Sequence, residues 1–514
     1  MFSVARITEL LKTYEESHAV EDYIAAGWRV WPYVRTQLAY RLRSLERGGV
    51  EAPQRKRRLA FLGNHGQFLR RALSGLLSAR NRRRAVRRAL RVDPRRNVSA
   101  DGAEADVVVM VPSNRRVRGG GRLYNVFADP LVSVMDGLGM RSVTWEWGPE
   151  RGPRWAPSAF ISARLEHESV RDAGIASQQR PSWWAEISGW FASVSGSRVE
   201  WEDLEPGLGR IGRASVILER WLRRTRAKAL IVCCWYSQLS MAATLAARRV
   251  GASSCDVQHG IQGVTHFGYG GWLRSPAGGY EVVPDVFWTW GPHYAESIAA
   301  GNPAFVSSSR ATVGGNLWMN TWRQGNFPGQ SAAGELASGI CRKAARSILV
   351  TLQSDGVIPE VLTRAIGASP PGWLWLLRYH PGTEPHVAEY MKGRIAALDA
   401  SRVETSAASR LPLYALLSCA DVHVTRSSTC AIEALAFGVP TVLVERPAGG
   451  DLGDLVERGT MLHASDPQEL LACLTRADAL TPEKCRSASG RYLASGGREA
   501  LILRGLTGGS GEQS

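Results

Sequence analysis

Cysteine is sparse and unpatterned in this chain. Eight occur in 514 residues, and no two stand in a C-x-x-C pair, which excludes the common zinc frameworks. Several sit inside apolar runs, where a buried free thiol in a reducing compartment is the expectation. Long apolar runs are also missing: nothing approaches the ~18 residues that a membrane-spanning helix requires. The opening stretch "MFSVARITELLKTYEESHAVEDY" is charged and amphipathic, so no secretory signal is expected. The glycine-rich loop at 112–130 is not a G-x-G-x-x-G fingerprint, which leaves dinucleotide binding unsupported. No D-x-D motif, short-period repeat or long low-complexity tract occurs.

Acidic charge is the minority sign. Lys and Arg total 63 against 47 Asp and Glu, a net +16. Residues 55–96 nearly account for the excess, with fifteen Lys or Arg against the single acid Asp93. Leu69, Leu73, Leu76 and Leu77 recur there at helical spacing. A basic amphipathic segment of this kind suits an anionic membrane surface, with a solvated arm as the alternative. Aromatic residues for base stacking are not interleaved, so no specific nucleic acid is expected as a partner.

At this length a single core is too small, and two large domains are expected. Residues 1–100 read as a helical, basic N-terminal region. From there the grammar becomes strand, turn, helix. The short buried runs are "ADVVVMV" (105–111), "KALIVCCWY" (228–236), "SSCDVQHG" (253–260) and "PDVFWTWG" (284–291). A polar, glycine-rich stretch at 322–335 reads as a linker. The pattern then restarts with "RSILVTLQ", "WLWLLRYHP", "ADVHVTRSS" and "PTVLVE". Such runs alternating with helices predict an α/β chain of two doubly wound, Rossmann-like domains, 101–325 and 340–505, facing a cleft. Ligands of such sheets bind beyond the carboxyl ends of the strands.

The loops at those ends carry the candidate chemistry. In "HVTRSSTCAIEALAFGVP", a strand runs into Ser427, Ser428 and Thr429, good helix N-cap residues whose hydroxyls and nearby free amides suit a phosphate. Glu433 lies off capping-box spacing, which frees its carboxylate for a ligand hydroxyl. In "WLLRYHPGTE", His380 follows a buried strand. It is placed to donate to a phosphate, with Arg378 adding positive charge. Gln353 and Ser354 of "TLQSDGV" offer further donors, while Asp355 suits a helix N-cap. In the first domain, Arg115 and Arg116 of "PSNRRVRGGGRLYNVFADP" bring charge to a flexible loop and are candidate acceptor contacts. Glu146, between two tryptophans, is a candidate base. The stretch "CDVQHGIQGVTHFGYGGW" supplies Gln258 and His259 at a strand end, with Gly260 and Gly263 allowing close approach of a ligand. His266 is a candidate acceptor contact.

"RYHP" followed by "RSST…EALAFGVP" resembles the second domain of GT-B glycosyltransferases. A His-Pro dipeptide before a double-serine turn is similar to bacterial envelope enzymes with cytidine-nucleotide donors: the capsule Kdo transferases, the polysialyltransferases and the teichoic-acid glycerophosphotransferases. The "QHGIQG" loop is similar to loops of capsule-biosynthesis proteins. The resemblance implies that His380, Ser427, Ser428, Thr429 and Glu433 bind a nucleotide-sugar donor, CMP-sugar favoured, and the loop reading adds Arg378, Gln353 and Ser354 to that donor site. His259 or Glu146 would act at a glycan or lipid-linked acceptor, with Gln258, Arg115, Arg116 and His266 around it. It implies no cofactor and no metal. A cytoplasmic protein, peripheral at the inner face of the membrane, is expected. The competing expectations are a nucleotide-sugar 2-epimerase on the same fold, a CDP-polyol phosphotransferase, and a non-catalytic envelope-assembly protein.

Overall fold

The computed structural model describes residues 3–46, 104–148, 152–171, 179–302, 309–447 and 450–508. The basic stretch 55–96 lies outside the described residues. The chain opens with two helices, α1 (Val4–Ser17) and α2 (Trp31–Glu46). Ser3 caps α1 by accepting from Arg6 N at 3.2 Å, which satisfies one of the free amides of the first turn. Ile7, Leu11 and Tyr14 on α1, and Trp31, Val34, Leu38 and Leu42 on α2, are all buried. Their three- and four-residue spacing gives each helix one apolar face. Both faces join the core under the first sheet, alongside Val108, Met110 and Trp145.

That sheet has seven strands: β1 (Val107–Pro112), β2 (Ser142–Trp147), β3 (Ala159–Phe160), β4 (Ala229–Cys233), β5 (Ser253–Val257), β6 (Val286–Thr289) and β7 (Arg310–Val313). Their order is β7-β6-β5-β4-β1-β2-β3, and every pair is parallel. Every residue of β1 and β4 is buried, which is why these segments read as unbroken apolar runs. After β1 the chain forms an antiparallel ribbon, Arg116–Gly119 against Arg122–Asn125. Gly120 and Gly121 turn it with φ of +55° and +77°, as a two-residue hairpin requires.

The second sheet is also wholly parallel: β8 (Arg346–Thr351), β9 (Trp373–Arg378), β10 (Val403–Glu404), β11 (Val422–Thr425), β12 (Thr441–Leu443) and β13 (Leu462–His463), in the order β10-β9-β8-β11-β12-β13. All eight strands expected from the apolar runs are present. The unexpected ones are β2, inside the first sheet, and the short edge strands β3, β7, β10 and β13. The protein is therefore α/β, with two Rossmann-like domains.

Between the sheets, α3 (Leu317–Arg323) and α4 (Gln330–Cys341) occupy most of the stretch read as a linker. The aromatic residues of α3 and of the turn after it are buried rather than solvated, with Trp318, Trp322 and Phe327 in one core. Cys341 and Cys419 form a disulfide, Cα atoms 6.2 Å apart, while the other six cysteines are free, and Cys233, Cys255, Cys473 and Cys485 are buried free thiols as expected. Helix α5 (Cys430–Ala436) joins β11 to β12, α6 (Gly450–Glu457) joins β12 to β13, and the last helix, α7 (Glu499–Leu506), crosses back. Its Ile502, Leu503 and Leu506 pack with Val107, Val109 and Leu131 of the first domain.

Candidate active cleft

The loop after β5 leaves the sheet through Gln258, which is fully buried. Its Oε1 accepts from Trp290 N at 2.6 Å and its Nε2 donates to Gly260 O at 2.8 Å. Gln258 is thus a staple between the ends of β5 and β6. The expectation that it contacts an acceptor is corrected, because both polar ends are committed. What the staple does is hold His259 at the rim of the sheet.

His259 Nε2 lies 3.2 Å from Tyr236 Oη, and its Nδ1 is buried without a hydrogen-bond partner. Burial, and next the Arg115 charge, push its pKa down to about 3. At neutral pH the ring is therefore uncharged. His266 is likewise neutral, with a pKa of about 3 caused first by burial and then by His259.

From the other domain, His380 follows β9. Its Nδ1 accepts from Gly382 N at 3.0 Å, so in the neutral ring the proton sits on Nε2. Burial, then Arg115 and Arg378, lower its pKa to about 4. Arg378 itself is held by the backbone, its Nη1 donating to Ala408 O and Leu411 O, each at 2.6 Å. Its charge acts on His380 and Glu433 while its position is fixed by those carbonyls.

The serine turn divides its labour. Ser427 is exposed, Ser428 Oγ accepts from Cys430 N at 3.2 Å, and Thr429 Oγ1 accepts from Ile261 N at 3.2 Å. The last bond ties the two domains' loops together. Glycines of the 258–272 loop serve the same contact. A Cβ on Gly260 would stand 3.5 Å from Thr429 Oγ1, and one on Gly263 would stand 3.2 Å from Asp451 Oδ1. These glycines face the other domain rather than a ligand. The Glu433 carboxylate accepts from Tyr414 Oη. Burial raises its pKa against the opposing effect of Tyr414, Arg115 and Arg378. Gln353 Nε2, beyond β8, is a buried donor with no partner, and Ser354 stands half-buried beside it.

Arg115 links these groups. Its charge is felt at His259 in one domain and at His380 and Glu433 in the other. Among the described residues it has no ion-pair partner, whereas the neighbouring Arg116 does. Arg116 pairs with Glu146, which also accepts from Asn125 Nδ2 at 2.9 Å and Ser158 Oγ at 3.0 Å. Both Arg116 and Glu146 are nearly sealed from solvent, their side chains 5% and 2% exposed. The candidate base and acceptor contact at these two positions are therefore corrected: together they anchor the ribbon to β2. Asp355 is corrected too. It is no helix N-cap, since the next helix starts at Glu360. It pairs instead with Arg426 at 2.7 Å.

Tyr236 and Tyr414 were missed in the sequence. Tyr236 stands two residues after Cys234, a non-glycine residue with φ +67°, and its signal was its place just beyond a strand end. Tyr414 stacks on Trp318 at 5.4 Å, a contact across 96 positions that no local pattern encodes.

Two Rossmann-like domains closing on a shared cleft define the GT-B class of fold. No family model matches the chain, and no curated protein matches it. Solved structures do. The S. aureus MnaA structure with UDP shares 12% identity over 80% of this chain and 99% of that one, with a TM-score of 0.50. The UDP-GlcNAc 2-epimerase of Neisseria meningitidis bound to UDP-GlcNAc shares 12% over 78% and 99%, with a TM-score of 0.48. The wall teichoic acid polymerase TagF shares 10% over 86% and 97%, with a TM-score of 0.43. At such identity the likeness to MnaA is one of fold. No helix among the described residues is long and apolar enough to cross a membrane.

Proposed function

We propose that the chain is a metal-independent glycosyltransferase. It moves a sugar from a nucleotide-activated donor to a hydroxyl of a surface polysaccharide or lipid-linked glycan. The observation that carries the reading is the electrostatic coupling of Arg115, which has no ion-pair partner among the described residues, to neutral His259 and His380 from opposite domains. A cation held without an anion beside a fixed Nε2–H donor is a place for phosphate.

In this reading residues 340–505 hold the donor and 101–325 the acceptor. Arg115, His380 Nε2, the Ser427 and Ser428 hydroxyls and the Gln353 amide stabilise the departing phosphate. Glu433 takes a hydroxyl of the donor. As the anomeric carbon bonds to the acceptor oxygen, its bond to the phosphate oxygen breaks and the electron pair leaves on the nucleotide. The acceptor's proton passes to His259 Nδ1, with Tyr236 fixing the ring. Residues 55–96 hold the protein at an anionic membrane surface.

The His-Pro and double-serine motifs favour a CMP-sugar. A UDP-sugar is the second reading, favoured by the likeness to the UDP-bound MnaA structure. Incubation with CMP- and UDP-sugars, with and without a glycan extract, separates the possibilities. Donor consumption that depends on the extract and transfers the sugar supports the proposal. Conversion of a UDP-sugar to its epimer without any acceptor overturns it.

A further inference from the structure

Asp256, on β5, is a buried acid that the proposed reaction does not use; it is 1% exposed. The ladder between β4 and β5 ends at Cys233 and Val257. Beyond it Cys234 turns out of the strand with φ +67°, a conformation that a non-glycine residue keeps only where its surroundings hold it. Sheet hydrogen bonds therefore do not place Trp235 and Tyr236. The Asp256 side chain takes over from them. Its Oδ1 accepts from Trp235 N at 3.0 Å, and its Oδ2 accepts from Tyr269 Oη at 2.7 Å. Trp235 and Tyr269 are fully buried, so water does not compete for either bond. Tyr236 is the next residue, and its Oη stands 3.2 Å from His259 Nε2. His259 itself lies three residues beyond Asp256. One carboxyl group thus joins the strand that carries His259 to the turn that carries Tyr236.

We infer that Asp256 is a positioning residue for His259: its carboxyl group braces the turn after β4 and so sets where Tyr236 meets the imidazole. The role rests on the transferase reading, in which His259 takes the acceptor's proton, because a displacement of ~1 Å in such a site costs about 10²-fold in rate. Tyr269 completes the brace through its hydroxyl, and its ring lies 6.5 Å from that of His259. Burial raises the Asp256 pKa to about 7, against the bonds from Tyr269 and from the Trp235 and Cys234 amides. The brace holds on both sides of that titration. When ionised, both oxygens accept. When protonated, one oxygen still accepts from Trp235 N and the other donates to Tyr269 Oη. An asparagine would do the same, with its carbonyl oxygen on Trp235 N and its amide on Tyr269 Oη.

Nitrogen-15 NMR of histidine-labelled protein reads the imidazole without any substrate. The His259 ring nitrogens, assigned by their loss in His259→Gln, should shift in Asp256→Ala toward their positions in Tyr236→Phe. Asp256→Asn should keep the parental shifts. In a transfer assay with the nucleotide-sugar that the parent consumes and a glycan extract, Asp256→Ala should lower kcat about 10²-fold and leave the donor KM within a few-fold. Asp256→Asn should restore parental turnover. His259 signals that are the same in Asp256→Ala and the parent would overturn the inference, as would an Asp256→Asn protein that behaves like Asp256→Ala. If Asp256→Ala does not fold, Tyr269→Phe, which keeps the ring and removes only the hydroxyl, is measured in its place against the same outcomes. A parent that transfers no sugar, but whose His259 signals move in Asp256→Ala and return in Asp256→Asn, supports the brace and sinks the transferase reading. Transfer by the parent, with His259 signals that no variant at Asp256 moves, sinks the brace alone.

Discussion

His380 shows how a residue acquires a task from its surroundings. An ordinary imidazole titrates near neutrality, but burial and the charges of Arg115 and Arg378 disfavour its protonated form, and the pKa falls to about 4. Gly382 N occupies Nδ1, so across the neutral range His380 presents one fixed donor at Nε2. The His380 Hε1 resonance, assigned by its loss in His380→Asn, should titrate with a midpoint of about 4 in the free protein. A midpoint near the ordinary value would contradict this electrostatic picture. A bound phosphate brings negative charge that offsets Arg115, so the midpoint should rise when nucleotide is added. Binding then takes up protons, and nucleotide affinity should increase as pH falls. His259 differs in having its unpartnered nitrogen at Nδ1. His259→Ala should cut turnover by about 10²–10⁴-fold, the usual range for a general base, and leave nucleotide affinity within a few-fold.

Among the elements, the α1–α2 pair is the one whose role its sequence conceals. Read alone, it is an amphipathic helical lead-in to a basic arm. In the fold it clamps the 258–272 loop. Arg35 donates to Phe267 O, and to Gly270 O and Gly271 O at 3.0 and 2.9 Å. Glu15 accepts from Leu273 N at 2.7 Å. The Arg35–Glu15 ion pair, 2.9 Å long and fully buried, ties the two helices to each other. Removing one partner of such a pair strands the other charge in the core. Glu15→Ala should therefore destabilise the protein by about 3–5 kcal/mol in urea denaturation, and a loss under 1 kcal/mol would show that the clamp carries little of the fold. The strands were legible because parallel sheets buried on both faces demand continuous apolar runs. The edge strands were not, since two residues such as Val403 and Glu404 establish no period. The aromatic residues of α3 and its following turn were passed over because neighbouring glycine and glutamine made the stretch look solvated.

For the molecule as a whole, the domains meet through specific contacts. Besides the Ile261–Thr429 hydrogen bond, His293 pairs with Asp451 at 2.7 Å, and α7 returns to the first core. The cleft is thus built by loops that the sequence placed correctly at strand ends but could not set against one another. Strand-end position located His259, His380 and the serine turn. It could not separate Arg115, whose charge reaches His259, His380 and Glu433, from Arg116, which is spent on Glu146, because nothing local says which of two adjacent arginines finds a carboxylate. In the proposed reaction Arg115 and His380 hold a nucleotide phosphate from opposite domains. Calorimetric titration of CMP, CDP, UDP and GDP into the parent protein, Arg115→Ala and His380→Ala tests it most directly. The parent should bind a cytidine or uridine nucleotide, and each variant should lose about 10–100-fold in affinity, the range for a charge-assisted hydrogen bond. A parent that binds none of the four, or variants that bind as tightly as the parent, would contradict the claim.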